Sequence, residues 1–229
     1  MSRFVSPYQL NPFNYNPLRQ LISQLIDFEG LRQGSAIKLF LPATNVRTGK
    51  IKVFTDKEIT ADCVLASACL PFLYQAVEVD GEYYWDGGYM GNPALFPLIY
   101  SCQSRDILIV HVNPIERPDK PTSAREIMNR VNEISFSSSL MREMRAVAFV
   151  TKLIDDGKLS QSDAKRVLIH SVCADDVMCG LGAASKLNAD VGFLRQLRAL
   201  GRERAQAWID DHFDDLGERS TVDIRAAYL

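Results

Sequence analysis

Residues 74–93 read Tyr74-Gln-Ala-Val-Glu-Val-Asp-Gly-Glu-Tyr-Tyr-Trp-Asp-Gly-Gly-Tyr-Met-Gly-Asn-Pro93. Tyr74 to Val79 and Glu82 to Trp85 are strand-like runs flanking Asp80-Gly81. That pair suits the positive-φ positions of a two-residue turn, so the stretch predicts a β-hairpin. Its second strand runs straight into Asp86-Gly87-Gly88. A carboxylate at a strand's end is placed to line a crevice, and two glycines let the backbone turn tightly and approach a substrate. Taken alone, Asp-Gly-Gly is more often a β-turn than a site. Its surroundings must decide.

Upstream, Thr60 precedes Ala61-Asp-Cys-Val-Leu-Ala-Ser-Ala-Cys-Leu70, small residues with an acid in the first turn, and Pro71 ends the run. A short, tightly packed helix is expected there. Ile37 to Leu41 and Ile51 to Phe54 around Thr48-Gly49 predict another hairpin. Leu18, Leu21, Ile22, Leu25 and Ile26 recur at helical spacing and form one apolar stripe. Downstream, Asn92-Pro93 reads as a helix start, with Asn92 capping and Pro93 in the first turn. Asp106 to Asn113, with four apolar residues in a row from Ile107, reads as a strand buried on both faces, as in parallel sheets. Ser123-Ala-Arg-Glu126 is a capping box opening a helical stretch to Gly157, which the Ser135–Ser139 patch is expected to break in two. Arg166 to Val172 is a further strand and Asn188 to about Leu216 a further helix. All ten prolines lie at or before Pro121. A loop-rich α/β part, 1–120, and a mainly helical part, 121–229, are therefore expected.

Composition removes several function classes. The chain has 229 residues, 47% apolar and 24% charged, with a formal charge of −2. It can bury a core, and no basic half exists to hold nucleic acid by bulk charge. The uncharged windows Phe4–Leu18, Cys63–Val77 and Gly87–Ser104 are too short or too interrupted by proline to span a membrane. The start, Met1-Ser-Arg-Phe-Val-Ser-Pro7, has no apolar core of a signal peptide, so a cytoplasmic protein is expected. Five scattered cysteines read as free thiols. Their C-x5-C spacings do not match zinc hooks, and neither a metal nor a cofactor is expected. Gly87-Gly88-x-x-Gly91 lacks the order of a phosphate loop. Arg195, Arg198, Arg202 and Arg204 read as a solvated helix face balanced by Asp210, Asp211, Asp214 and Asp215.

Leu65-Ala-Ser-Ala-Cys-Leu-Pro71, then a hairpin, then Asp86-Gly87-Gly88 and Asn92-Pro93 resembles the second half of the patatin-like phospholipase family in order and spacing. The likeness extends to Ala43-Thr44-Asn45 and Thr48-Gly49. Within a bacterial branch it also takes in Glu133-Ile-Ser-Phe-Ser137 and Arg142-Glu-Met-Arg-Ala-Val-Ala-Phe-Val150. It is best between residues 37 and 155. The resemblance implies part of a doubly wound α/β sheet flanked by helices, with 1–120 as the C-terminal part of the catalytic domain and 121–229 as a helical extension. It also implies a lipid acyl hydrolase with a Ser-Asp dyad: a serine on a G-x-S-x-G elbow attacks the ester, Asp86 takes its proton, and a glycine-rich loop holds the oxyanion. Asp86 matches the base, and Gly87 and Gly88 complete its motif. The scattered His111, His170 and His212 are not needed.

The sequence departs from that pattern in two respects. No G-x-S-x-G and no glycine-rich oxyanion segment occurs in residues 1–229. Ser67 lies between alanines, Gly182-Ala-Ala-Ser185 has the wrong order, and Gly34-Ser35 lacks a preceding strand. The expectation is a C-terminal portion of a longer patatin-like protein, inactive alone. It would leave apolar faces of the Ile107–Val110 strand and of the Cys63 helix uncovered, and so self-associate. The alternative is a catalytically inactive remnant acting as a binding or scaffold module. Lipid or another acyl ester is the implied substrate. The aromatic loop of Phe4, Tyr8, Phe13 and Tyr15 reads first as core packing, and otherwise as an acyl channel or a transient membrane-surface contact.

Overall fold

A computed structural model describes residues 5–34, 36–160, 162–182, 185–186 and 188–229. Phe4 and Ser35 lie outside the described residues, as do Ala183 and Ala184 of the Gly182–Ser185 segment. Mixed α/β structure with a helical C-terminal region is present. In chain order come α1 (Pro7–Leu10), α2 (Pro17–Leu25), α3 (Phe28–Gln33), β1 (Phe40–Asn45), β2 (Ile51–Thr55), α4 (Ala61–Ser67), β3 (Val77–Val79) and β4 (Glu82–Asp86). A 3-10 turn, Gly87–Tyr89, follows. Then come α5 (Phe96–Ser101), β5 (Asp106–Val110), α6 (Ala124–Asp155), β6 (Leu168–Val172), α7 (Asp175–Met178), α8 (Val191–His212) and α9 (Ile224–Tyr228). The chain divides into compact units Met1–Pro97 and Leu98–Leu229. β5 thus lies with the helices that follow it, although composition changes only at Pro121.

The first unit is built on an antiparallel sheet of order β2-β1-β4-β3. Both hairpins form where the turn residues place them: Asp80 and Gly81 take φ of 52° and 77°, and Gly49 takes 66°. The Asn45 side chain ties the first turn by accepting from the N–H groups of Arg47 and Thr48. Thr60 caps α4 through the Cys63 N–H. Cys63 and Ala66 of α4 pack on Ala43, Phe54, Ile59 and Tyr84, with Phe54 set edge-on to Tyr84 at 5.4 Å. The helix at Cys63 is therefore covered, against the expectation, because its small residues let it lie close to the sheet.

The N-terminal segment corrects the packing expectation. Phe13 is 94% exposed, and Tyr8 and Tyr15 are also exposed. Polar ties hold this loop in place instead: Gln75 Nε2 donates to the Asn11 carbonyl at 2.7 Å, and the Ala76 N–H donates to Tyr8 Oη at 3.2 Å. These bonds fix the Asn11 backbone and the Tyr8 hydroxyl without burying rings. Of the α2 stripe, Ile22 is buried while Leu18, Leu21 and Leu25 stay exposed.

In the second unit β5 and β6 pair in parallel, Leu108 opposite His170. Ile107 and Ile109 are buried, but Leu108 and Val110 are exposed, so β5 is covered on one face and not on both. The outer edge of β6 is occupied: Ser220 Oγ accepts from Ile169 N–H and Thr221 N–H donates to the Ile169 carbonyl. Asp106 anchors this end, accepting from Gly217 N–H and facing His170 Nε2 at 3.1 Å. α6 runs unbroken for 32 residues. Ser135, Ser137 and Ser138 donate back to carbonyls three or four residues earlier, so the patch satisfies itself within the helix instead of breaking it. Lys158 N–H to Leu153 and Gly157 N–H to Ile154 close its end, with Gly157 at φ 69°. Asn92-Pro93 lies in a turn and α5 begins at Phe96, because Pro97 supplies the proline of the helix's first turn. Arg204 pairs with Asp176, and Asp215 with Arg219, so neither ion pair joins the arginines of α8 to the acids expected to balance them. Among the described residues, no helix is long and apolar enough to cross a membrane.

His111, just past β5, meets Tyr228 Oη at 2.9 Å and ties α9 to the parallel pair. Burial holds its pKa below the ordinary value, with Asp175 acting in the opposite sense. A depressed histidine leaves the unfolded chain binding more protons, so its contribution is present above the unfolded pKa of about 6.5 and fades as pH falls through it. We expect the denaturant midpoint to drop between pH 7.5 and 5.5, and His111→Asn to shrink that drop.

Candidate active site

Asp86 is the last residue of β4, opposite Ala43 of β1, with Trp85 opposite Thr44. Its backbone is fixed on both sides. Its N–H donates to the Cys69 carbonyl at 2.8 Å, and Thr44 Oγ1 donates to its carbonyl at 2.8 Å. The side chain turns forward, and Oδ1 accepts from Gly88 N–H at 2.7 Å, which caps the 3-10 turn.

The glycines of the motif have different reasons to be there. A Cβ on Gly87 would stand 2.0 Å from the Pro42 carbonyl oxygen of β1. Only a bare Cα lets the chain turn off β4 while β1 lies alongside. Gly88 supplies the donor to Asp86, and both glycines are buried.

Three titratable groups share this patch. Burial pushes the Asp86 carboxyl above the ordinary aspartate value, and the Gly88 N–H partly offsets it. The Cys69 thiol, bonded through Sγ to the Gln75 carbonyl at 3.1 Å, is pushed up to about 11, by burial first. The Val77 N–H opposes that rise and the Asp86 charge adds to it. Tyr89 is raised by burial and then by the charges of Asp86 and Cys69. A half-buried carboxylate whose proton affinity is raised can act as a general base or acid, while an inert, protonated thiol beside it cannot act as a nucleophile.

Cys69 also lines a cleft of about 440 Å³ in the same unit, with Asn14, Asn16, Asp62, Gln75 and Tyr83 among its walls. Arg19 pairs with Asp62 within it. That volume is in the range of small-molecule sites.

Asp86, Gly87 and Gly88 are thus brought together as one rigid turn. Ser67 is the last residue of α4, at a helix end and not on a strand-to-helix elbow. Ser185 lies in the second unit, donating to the Gly182 carbonyl. His111, His170 and His212 are all in the second unit, held by Tyr228, by Asp106 with Thr221, and by Asp215. The sequence reading missed Thr44, Pro42, Cys69 and Tyr89 as parts of the site. Only the β1–β4 register reveals the first two, and β2, α4 and β3 separate those strands in the chain.

Residues 9–99 match the family model for Patatin-like phospholipase, which covers the sheet, α4 and the Asp86 turn. The segments Glu133–Ser137 and Arg142–Val150 lie outside the matched residues. No curated protein matches the chain.

Gly87→Ala is expected to cost about 3 kcal/mol or more, because the clash is with backbone on a paired strand. Gly201→Ala, in the interior of α8 with open space around its Cα, is expected to be neutral or to stabilise by about 0.5–1 kcal/mol. Urea midpoints of the two variants check both.

Proposed function

We propose that the chain carries the general-base half of a lipid acyl hydrolase of the Ser-Asp type. Asp86 is the base, and the serine nucleophile lies outside these 229 residues. The observation that carries this is the Asp86 carboxylate itself, set at a strand end, held by Gly88 and raised by burial, within a patatin-like match. Seated against Asp86, the serine hydroxyl gives its proton to the carboxylate as its oxygen bonds to the ester carbonyl carbon. The tetrahedral adduct collapses, the ester C–O bond breaks, and protonated Asp86 returns the proton to the leaving alcohol. A water then attacks the acyl-serine, again losing its proton to Asp86; the bond between the serine oxygen and the acyl carbon breaks, the carboxylic acid leaves, and Asp86 returns the proton to the serine oxygen. A raised pKa brings the base nearer to working pH, where both protonation states are accessible.

The polar cleft beside Cys69, with its Arg19–Asp62 pair, favours a headgroup over an acyl chain. The exposed Leu10, Phe13, Tyr15, Leu21 and Leu25 support contact with a lipid surface, since residues 5–18 carry no charge. The open face of β5 at Leu108 and Val110 supports self-association. The alternative, a non-catalytic binding or scaffold module, shares those surfaces but assigns Asp86 no chemistry.

The test has two parts. A serine-directed fluorophosphonate should leave this chain unlabelled, and labelling at any of its serines would place the nucleophile inside it. In the chain joined to a segment that supplies the elbow serine, Asp86→Asn should lower ester hydrolysis by about 10²–10⁴-fold with the substrate KM little changed. Full activity in that variant would favour the scaffold reading.

A further inference from the structure

The second unit holds a cleft of about 640 Å³, bounded by the Arg117–Thr122 loop, the first turns of α6 and the turn at Cys179–Gly182. That volume suits a small molecule. Along its wall runs a chain of three ionised side chains. Arg117 grips Glu133 with a fork, Nε to Oε2 at 3.2 Å and Nη2 to Oε1 at 2.7 Å. Arg130 Nη1 reaches the same carboxylate at 3.3 Å. Backbone carbonyls fix both guanidiniums from behind: Arg117 donates to Cys179, and Arg130 Nη2 donates to Ile115 at 3.0 Å.

Two cations share one anion here. Arg117, Glu133 and Arg130 are 21%, 15% and 27% exposed, so the surplus positive charge sits where water screens it poorly. Burial works against the charge on Glu133, but Arg117 and Arg130 outweigh it and hold the carboxyl below its ordinary value. Glu133 therefore stays ionised and keeps the two guanidiniums aligned. On the rim, Lys120 and Arg125 are matched in number by Asp119 and Glu126. Glu126 is engaged at the helix cap by the N–H groups of Thr122 and Ser123. Along the lining four cations therefore face three carboxylates, with Asp175 also acting on Arg117 from outside the lining. Donors remain on both guanidiniums, and a guanidinium fork matches the paired oxygens of a phosphate.

We propose that this cleft binds a phosphate-bearing anion, with Arg117 and Arg130 as its paired donors, Glu133 as the residue that positions them, and Lys120 and Arg125 at the rim. This assigns a role to Glu133, which the Asp86 site does not use.

The test titrates the whole chain with inorganic phosphate by calorimetry and ³¹P line broadening. One saturable site is expected. Arg130→Gln should weaken it about tenfold or more, the loss of one charge-assisted contact set. Arg125→Gln, at the rim, should weaken it several-fold and stands in if the first variant fails to fold. Arg145→Gln, exposed on the same helix away from the cleft, removes the same charge and should leave binding unchanged. No saturable site, or equal weakening by Arg145→Gln, would overturn the proposal. Two further arms identify the source of the phosphate. Arg130-dependent co-sedimentation with phosphatidylcholine vesicles containing phosphatidic acid assigns it to a lipid headgroup. Binding of glycerol 3-phosphate without co-sedimentation assigns it to a soluble ester.

Discussion

The register of β4 against β1, with Asp86 opposite Ala43, is the constraint on which the first unit depends. β1 and β4 are the two inner strands, β1 pairing with β2 and β4, and β4 with β1 and β3. The Pro42 carbonyl of β1 leaves room only for a glycine after Asp86, and the Thr44 hydroxyl of β1 holds the Asp86 carbonyl. A one-residue slip would turn every side chain of β4 to the opposite face and separate these contacts. The carboxylate's position is thus a property of the sheet, not of the turn alone. The Cys69 carbonyl, which receives the Asp86 N–H, ties the end of the α4 segment to the same point.

Local signals made much of this legible. Asp80-Gly81 and Thr48-Gly49 encode their turns in residues that tolerate positive φ, and Thr60 and Ser123 encode helix starts through their hydroxyls. Burial was harder to read. Leu18, Leu21 and Leu25 have helical spacing, yet spacing says only that they share a face, not that anything covers it. The run Ile107–Val110 likewise gives the strand and its parallel pairing, but not that one face is open. The Ser135–Ser139 patch reads as a break because hydroxyls compete with the helix, and the direction of that competition is settled only when they bond backwards along the chain. Of the candidate site, Asp86, Gly87 and Gly88 stand together in the sequence. Pro42, Thr44 and Cys69 join them through pairing across long loops, which no local pattern carries.

Two kinds of surface set the two units apart. In the first, apolar side chains of α1, α2 and the loop between them face outward, while the Gln75 side chain bonded to the Asn11 carbonyl and the Ala76 N–H bonded to the Tyr8 hydroxyl tie the α1 segment in place. In the second, the apolar start of α6, Ile127, Val131 and Ile134, is exposed, whereas Leu140, Met144 and Val147 further along are buried. The packed part of α6 can anchor the helix while its first turns present Arg125, Arg130 and Glu133 to a cleft. Stability and binding chemistry are thereby assigned to different ends of one helix. The Asp86 patch divides its labour differently: its polar groups are held by backbone, and its proton affinity is set by burial.

The most direct measurement is the titration of the Asp86 carboxyl by carbon-detected NMR of the whole chain, assigned by its loss in Asp86→Asn. The account requires a pKa above the unperturbed aspartate value of about 3.9, falling when the site is opened to water. A carboxyl that titrates at or below that value would show a solvated turn aspartate, and would contradict the assignment of Asp86 as a buried base.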